Sequence, residues 1–445
     1  MIRNSRKFIV YTNDNNYIRN SKKFVIRSKM KLHRTLVQAV IETLQQIFVE
    51  GIYADKAVEL ILKQNSRWGS RDRRFIAETT YEMVRWWRYI SKSFSPSDSA
   101  ENKITEENSS IYYYKLFATW QILKGIDLPN WDEFIGIDKS QILKNAEQVK
   151  LIRKYRESIP DWLDDLASEE LGNVVWGNEL HELNKEARVV LRVNTLKTSP
   201  DELRKKLIAQ NIEIEVLDKI SPLWEDIKSE TFVVKRQNLH QLAEYKQGLF
   251  EIQDASSQLI APFLQLKEGM IVIDACAGAG GKSLHIAAIM KNAGKIISMD
   301  VEERKLTELK RRADRAGASI IQTQSINANT IHKFKNTADR LLLDVPCSGL
   351  GVIRRTPDAK WKLSLDFINQ VKKTQQDIIC RYSQMLKPSG IMVYATCSIL
   401  PSENQDQVAQ FLTSHKEKFE LISDRKVLPS DGFDGFYMAA IKKIK

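Results

Sequence analysis

Two of the four cysteines in this 445-residue chain stand in surroundings unlike a hydrophobic core. Cys347 lies in Asp344-Val345-Pro346-Cys347-Ser348-Gly349-Leu350-Gly351, and Cys397 in Thr396-Cys397-Ser398. Each follows a short apolar run, so each falls just after a strand. Thiolate is a strong nucleophile, although a free thiol has a pKa of about 8.5. The other reading for any cysteine is an inert place in the core, which is what Cys380 between Ile379 and Arg381 leads us to expect. No pair has the CxxC spacing of a zinc site, so no metal is expected.

A second group precedes these. Asp274-Ala275-Cys276-Ala277-Gly278-Ala279-Gly280-Gly281-Lys282-Ser283 offers small residues and then the free N–H groups of a helix start. The spacing misses a phosphate loop, because Ala277 holds the place of that motif's first glycine. Asp300 follows Lys282 by 18 residues. An acid so placed can accept both ribose hydroxyls of an adenosine-bearing cofactor, or cap the next helix. S-adenosyl-L-methionine fits this pattern as well as a dinucleotide does.

The elements that must position these residues are alternating strands and helices from residue 249 onward. Apolar runs at 270–275, 295–300, 319–323, 340–344 and 391–396 predict five strands of a doubly wound, Rossmann-like parallel sheet in residues 249–445. Ligands in such sheets bind beyond the carboxyl ends of the strands. Residues 158–248 read as a small α/β module. Val189-Val190-Leu191-Arg192-Val193-Asn194 forms a strand, and a helix starts at Thr198 or Ser199 with Pro200 in its first turn. Arg192 and Asn194 could touch RNA backbone there, or simply end a strand. Residues 30–157 read as an all-helical domain. Apolar residues recur at 3–4 spacing from Leu36 to Phe48 and from Ala57 to Leu62, and a further helix is expected over 71–93. Residues 95–110 are polar and read as a loop.

The net charge of +12 favours an anionic partner such as nucleic acid. Residues 1–29 hold eight basic side chains against one acid and repeat Arg3-Asn4-Ser5-Arg6-Lys7-Phe8 as Arg19-Asn20-Ser21-Lys22-Lys23-Phe24. This reads as an unstructured leader with Met30 as the true start; a nucleic-acid arm and a transit peptide are the alternatives. Without a long apolar run or a disulfide framework, a cytoplasmic protein with free thiols is expected. Arg354, Arg355, Lys360 and Lys362 surround Trp361 beside the proposed site. Such a loop suits phosphate contact and stacking on an unstacked base, or is a solvated loop with Trp361 in the core.

Residues 249–445 resemble the Sun/RsmB family of RNA cytosine-5 methyltransferases. The likeness is carried by Gln253-Asp254-Ala255-Ser256-Ser257, the 274–282 turn, the 344–351 and 396–398 segments, Arg354-Arg355, Pro357-Asp358, Trp361 and Glu403-Asn404. The helical part resembles the NusB-like domain through Arg71-Asp72-Arg73-Arg74-Phe75, Tyr81 and Val84-Arg85. The resemblance implies an enzyme that methylates carbon 5 of a cytosine in small-subunit ribosomal RNA. The same reaction on transfer RNA, and a non-catalytic assembly factor, are the alternatives. It implies that Cys397 adds to carbon 6, that Cys347 assists release, that Asp344 bonds the base and that Lys282 orders the site. Cys347 as the nucleophile is the rival within this mechanism. The implied cofactor contacts are Cys276, Ala277, Gly278, Ala279, Gly280, Gly281, Lys282, Asp300, Asn327 and Asp344. The candidate RNA contacts, from their place in the small module and in the basic loop, are Arg192, Asn194, Arg354 and Arg355. Three positions depart from the family: Gly278-Ala279 for Ala-Pro, Asn327 for Asp, and Thr356 for His. A monomer is expected.

Overall fold

A computed structural model describes residues 31–97, 109–217 and 221–445. The basic repeat of residues 1–29 lies outside them, as does most of the polar stretch read as a loop. The chain divides into two compact units, Met1–Ser158 and Ile159–Lys445.

The described part of the first unit is helical: Arg34–Phe48, Ala54–Gln64, Ser70–Arg85, Trp87–Phe94, Ser109–Leu123, Lys139–Val149 and Arg153–Arg156. Val37, Val40, Ile41 and Leu44 recur at helical spacing and are fully buried. The single helix expected over 71–93 is two. Trp86, at φ −101° and ψ 19°, leaves the helical region and breaks it.

The second unit begins with a four-stranded antiparallel sheet. Its strands are β1 (Val189–Val193), β2 (Ile214–Val216), β3 (Thr231–Val234) and β4 (Phe250–Ile252), in the order β2-β3-β1-β4. Ser199 caps the helix Pro200–Ala209, and Glu202 bonds back to the cap, which fixes where that helix starts. β4 pairs with β1, Leu191 opposite Ile252, so this sheet runs past the limit of 248 read from the sequence. Three residues of strand carry too little pattern to be recognised locally.

A seven-stranded sheet follows: β5 (Ile271–Asp274), β6 (Lys295–Asp300), β7 (Ile321–Ser325), β8 (Ala338–Asp344), β9 (Leu386–Thr396), β10 (Phe419–Val427) and β11 (Phe436–Lys443). The order is β10-β11-β9-β8-β5-β6-β7. β5 to β9 are parallel, while β11 runs antiparallel to β9 and to β10. The expected all-parallel five-stranded sheet is thus extended by two antiparallel strands at one edge. The central strands are buried on both faces: Val272 and Leu342 pack on one side, Ile273 and Leu341 on the other. The chain order reverses between β5 and β8. Asp274 and Asp344 end those two strands, and Thr396 ends the next one, β9.

Candidate active site

Beyond β5, the residues 275–280 turn back into the helix Gly281–Ile289. Gly280 holds φ 85°, and a Cβ there would strike Leu309, so the tight turn needs a glycine. Gly278 N–H donates to Asp300 Oδ2 at 2.9 Å, and Asp300 Oδ1 accepts from Glu302 N at 2.9 Å. Asp300 therefore joins the end of β6 to the turn. It is not the helix cap, which is Glu302. A cleft of about 270 Å³ opens here, lined by Cys276, Ala277, Gly278, Ala279, Gly281 and Lys282 of the turn, with Asp274 and Asp344. Gln253, Ser257 and Arg312 also line it. Asn327 stands apart: exposed, it caps the helix Ala328–Lys333 by accepting from Thr330 N at 3.0 Å.

The acids that end β5 and β8 differ. Asp344 Oδ2 accepts from Lys282 Nζ at 2.5 Å. Burial works to lower the pKa of Lys282, yet the charge of Asp344 and this hydrogen bond outweigh it and raise it. Asp274 is buried, and burial pushes its carboxyl up to about 7 against a hydrogen bond from Ser283. Its Oδ2 takes the Ser283 hydroxyl at 2.6 Å, while its Oδ1 has no hydrogen-bond partner. Burial, then the charge of Asp274, raises the Cys276 thiol well above its ordinary value, so Cys276 serves as a neutral wall.

Cys347 and Cys397 follow adjacent strands, and their sulfur atoms lie 3.3 Å apart. Both side chains are half-buried. Cys347 is held well above its ordinary pKa by the hydrogen bond to Cys397 first, then by burial, then by the charges of Cys397 and Glu403. The Cys397 charge also contributes to the raised pKa of Lys282. Gly351 N–H donates to Cys397 O at 2.9 Å, and a Cβ on Gly351 would lie 2.7 Å from that oxygen and closer still to Gly435 O. Glycine is required where these segments cross.

Three of the four residues expected to contact RNA, Arg192, Asn194 and Arg354, are buried. Arg192 is buried, 1% exposed, and its Nε donates to Gln253 Oε1 at 2.8 Å. Asn194 is buried, with its amide donating to Gly248 O at 2.7 Å and Ala316 O at 2.8 Å. Neither side chain faces a surface that RNA could reach. Arg354 is 4% exposed and donates to Pro429 O at 3.0 Å. Arg355 is half-buried and paired with Asp254 and Asp434, both at 2.6 Å. Lys360 is buried as well, so the basic loop beside the site is largely internal. The sequence reading assigned no role to Gln375, Glu403, Ser348 or Ser398, which sit directly behind the cysteines. The signs available were the Glu403-Asn404 motif and a serine following each of Cys347 and Cys397.

A doubly wound sheet with a glycine-rich cleft at its switch point and side chains clustered at the ends of β5, β8 and β9 defines a Rossmann-like methyltransferase domain. Residues 261–442 match the family described as 16S rRNA methyltransferase RsmB/F, and residues 159–221 match the ferredoxin-like domain of RsmF/B-like methyltransferases. A ribosomal RNA small subunit methyltransferase B from Pasteurella multocida is 33% identical over 312 residues, covering 66% of this chain and 68% of the relative. A probable one from Bacillus subtilis is 33% identical, covering 57% of this chain and 59% of the relative. A probable one from Synechocystis is 27% identical, covering 88% and 95%. Among solved structures, PH0851 superposes with a TM-score of 0.75 at 21% identity, over 93% of this chain and all of that one. A methyltransferase homologue from Pyrococcus horikoshii superposes at 0.56 and 26% identity, over 65% of this chain and 97% of that one. The chain belongs to the RsmB/F family of ribosomal RNA methyltransferases.

Among the described residues no helix is long and apolar enough to cross a membrane, and no cluster of His, Cys, Asp and Glu is arranged to hold a metal ion.

Proposed function

We propose that this protein methylates carbon 5 of a cytosine in small-subunit ribosomal RNA, using S-adenosyl-L-methionine and a covalent bond from Cys397 to carbon 6. The observation that carries the reading is the pair of sulfurs 3.3 Å apart just beyond β8 and β9, with the charge of Cys397 acting on Lys282 of the Lys282–Asp344 ion pair in the cleft. The relatives named as small-subunit ribosomal RNA methyltransferases supply the substrate class.

The cleft fits the cofactor. Its wall is a turn of small residues that lets a ligand approach the backbone, and Asp300 is fixed at the end of the neighbouring strand. Gly278, Ala279 and Gly281 line it, with Lys282 and Asp344 beside them. Bound there, the cofactor would supply a methyl group on a positively charged sulfur.

Cys397 is the nucleophile. Carbon 5 of cytosine attacks poorly until a thiolate adds to carbon 6 and makes the ring enamine-like. Cys347 stands beside it, and in a later step its thiolate takes the carbon 5 proton, becoming the thiol, so that the bond from Cys397 to carbon 6 breaks and Cys397 leaves as thiolate. Asp344 lines the cleft and bonds the amino and ring-nitrogen edge of the base, favouring charge there. Lys282 holds Asp344 by one oxygen and fixes its direction. The target base must stand outside any helix to reach this point.

The deciding experiment is methyl transfer to ribosomal RNA by Cys397→Ala and Cys347→Ala. Cys397→Ala should lose on the order of 10⁴-fold or more in rate. Cys347→Ala should accumulate a protein–RNA adduct that survives a denaturing gel. Full activity in Cys397→Ala, or an adduct that forms without Cys397, rejects the assignment.

A further inference from the structure

We propose that Glu403 is a positioning residue that locks the two thiol-bearing turns to each other. Its catalytic consequence rests on the reading above; its structural content does not.

Glu403 closes the short turn Pro401–Glu403 after β9 and is fully buried. Four hydrogen bonds reach its carboxylate, all from neutral groups. Ser348 gives its N–H at 2.7 Å and its hydroxyl; Ser398 gives its hydroxyl at 2.7 Å; Gln375 gives its amide at 3.1 Å. Ser348 follows Cys347 in the chain, and Ser398 follows Cys397. One carboxylate thus holds the residue next to each sulfur. A carboxylate accepts about four such bonds and donates none, so its capacity is filled.

The turns are gripped on their other sides too. The same Gln375 amide donates to Pro346 O at 2.9 Å, so Cys347 is fixed through both neighbours. Asn404 accepts the Thr396 hydroxyl and donates to Ser398 O at 3.0 Å, so Cys397 is fixed in the same manner. Tyr394 on β9 holds the carbonyl of Glu403 at 2.8 Å. Burying an anion among neutral donors is a costly choice for stability alone. Its return here is the register of two sulfurs at 3.3 Å. The charge has a second effect, since it helps keep the neighbouring Cys347 protonated.

The test compares Glu403→Ala and Glu403→Gln in the full-length protein, by steady-state kinetics on ribosomal RNA and by iodoacetamide alkylation of Cys347 against pH in a Cys397→Ser background. Glu403→Ala frees both turns, and its kcat should fall on the order of 100-fold with KM for RNA nearly unchanged. Glu403→Gln keeps acceptor and shape and should recover most of kcat. In both variants the alkylation profile should move to lower pH, because the carboxylate charge near Cys347 is gone; a glutamate acting only away from Cys347 would not move it. A folded Glu403→Ala with wild-type kcat, or profiles that stay in place, overturns the proposal. Should Glu403→Ala not fold, Glu403→Gln carries the test through its alkylation profile. If the wild-type protein transfers no methyl group, the reading above has failed, and the alkylation profiles still decide the lock.

Discussion

The segments after β8 and β9 carry two pairs of side chains with opposite fates. Cys347 and its partner Cys397 are half-buried, with their sulfurs 3.3 Å apart. Arg354 and Arg355, only seven and eight residues beyond Cys347, turn inward onto Pro429 O, Asp254 and Asp434. In sequence both pairs read as functional. A guanidinium has five donors and must satisfy them wherever it lies. With acceptors built into the protein, it braces the loop instead of reaching for phosphate. A thiol has weak hydrogen-bonding demands, so its placement next to an ion pair and a cleft tells more about chemistry than the placement of an arginine in a basic chain.

The largest effect that would sharpen this contrast comes from Gly351→Ala. The added methyl would collide with the carbonyl oxygens of Gly435 and Cys397, so the crossing of the two segments must open. Moving Cys397 by about 1 Å should cost on the order of 100-fold in kcat, read by methyl transfer at saturating RNA. A variant with unchanged kcat would show that the position of Cys397 is not critical.

Arg354→Ala tests the other side. Removing one member of a buried ionic network should cost about 3 kcal/mol in urea unfolding, because Asp434 is left with less compensation. RNA binding by the folded variant should keep its dependence on salt. Were Arg354 a phosphate contact, stability would hold and the salt slope would fall by about one.

The two acids at the switch point give a third test. Asp344 has a cation, while one oxygen of Asp274 has no partner. Burial pushes Asp274 up to about 7, whereas a carboxyl in an unfolded chain ionises near 3.9. Between those values the folded protein binds more protons than the unfolded one, so this group makes stability fall as pH rises from about 4 to about 7. Asp274→Asn cannot ionise. Its stability relative to wild type should rise across that window by roughly a few kcal/mol and level off above it. Urea unfolding at several pH values checks this; a difference that stays flat with pH rejects it.

What could be read from sequence follows the range of the interactions involved. β5, β6 and β8 are short apolar runs ending in Asp274, Asp300 and Asp344, and a local pattern is enough to find them. β10, exposed from Glu420 to Asp424 with only Leu421 and Ile422 apolar among those five, lies at the sheet edge and has no such run. The grip of Glu403 on Ser348 spans 55 positions, and Gln375 comes from a third element. Nothing in a single sequence joins these residues until the sheet brings β8 and β9 side by side. Arg192 failed for the reverse reason. Its charge suggested a surface, but the pairing of β1 between β3 and β4 places it inside.

The smallest effect is expected at Cys380, and it bears on how the cysteines were told apart. Cys380 lies in the helix Leu365–Tyr382, half-buried, with its thiol raised by burial and then by the charge of Asp377. It packs against the cluster containing Ile378 and Ile379, within a helix and not just after a strand. Cys380→Ser should therefore cost about 1 kcal/mol or less in stability and leave methyl transfer and the Cys347→Ala adduct unchanged. Thermal unfolding and single-turnover methylation check both halves. Loss of methylation in this variant would mean that a thiol's place at a strand end does not mark its chemistry, and the contrast between the cysteine and arginine pairs would lose its basis.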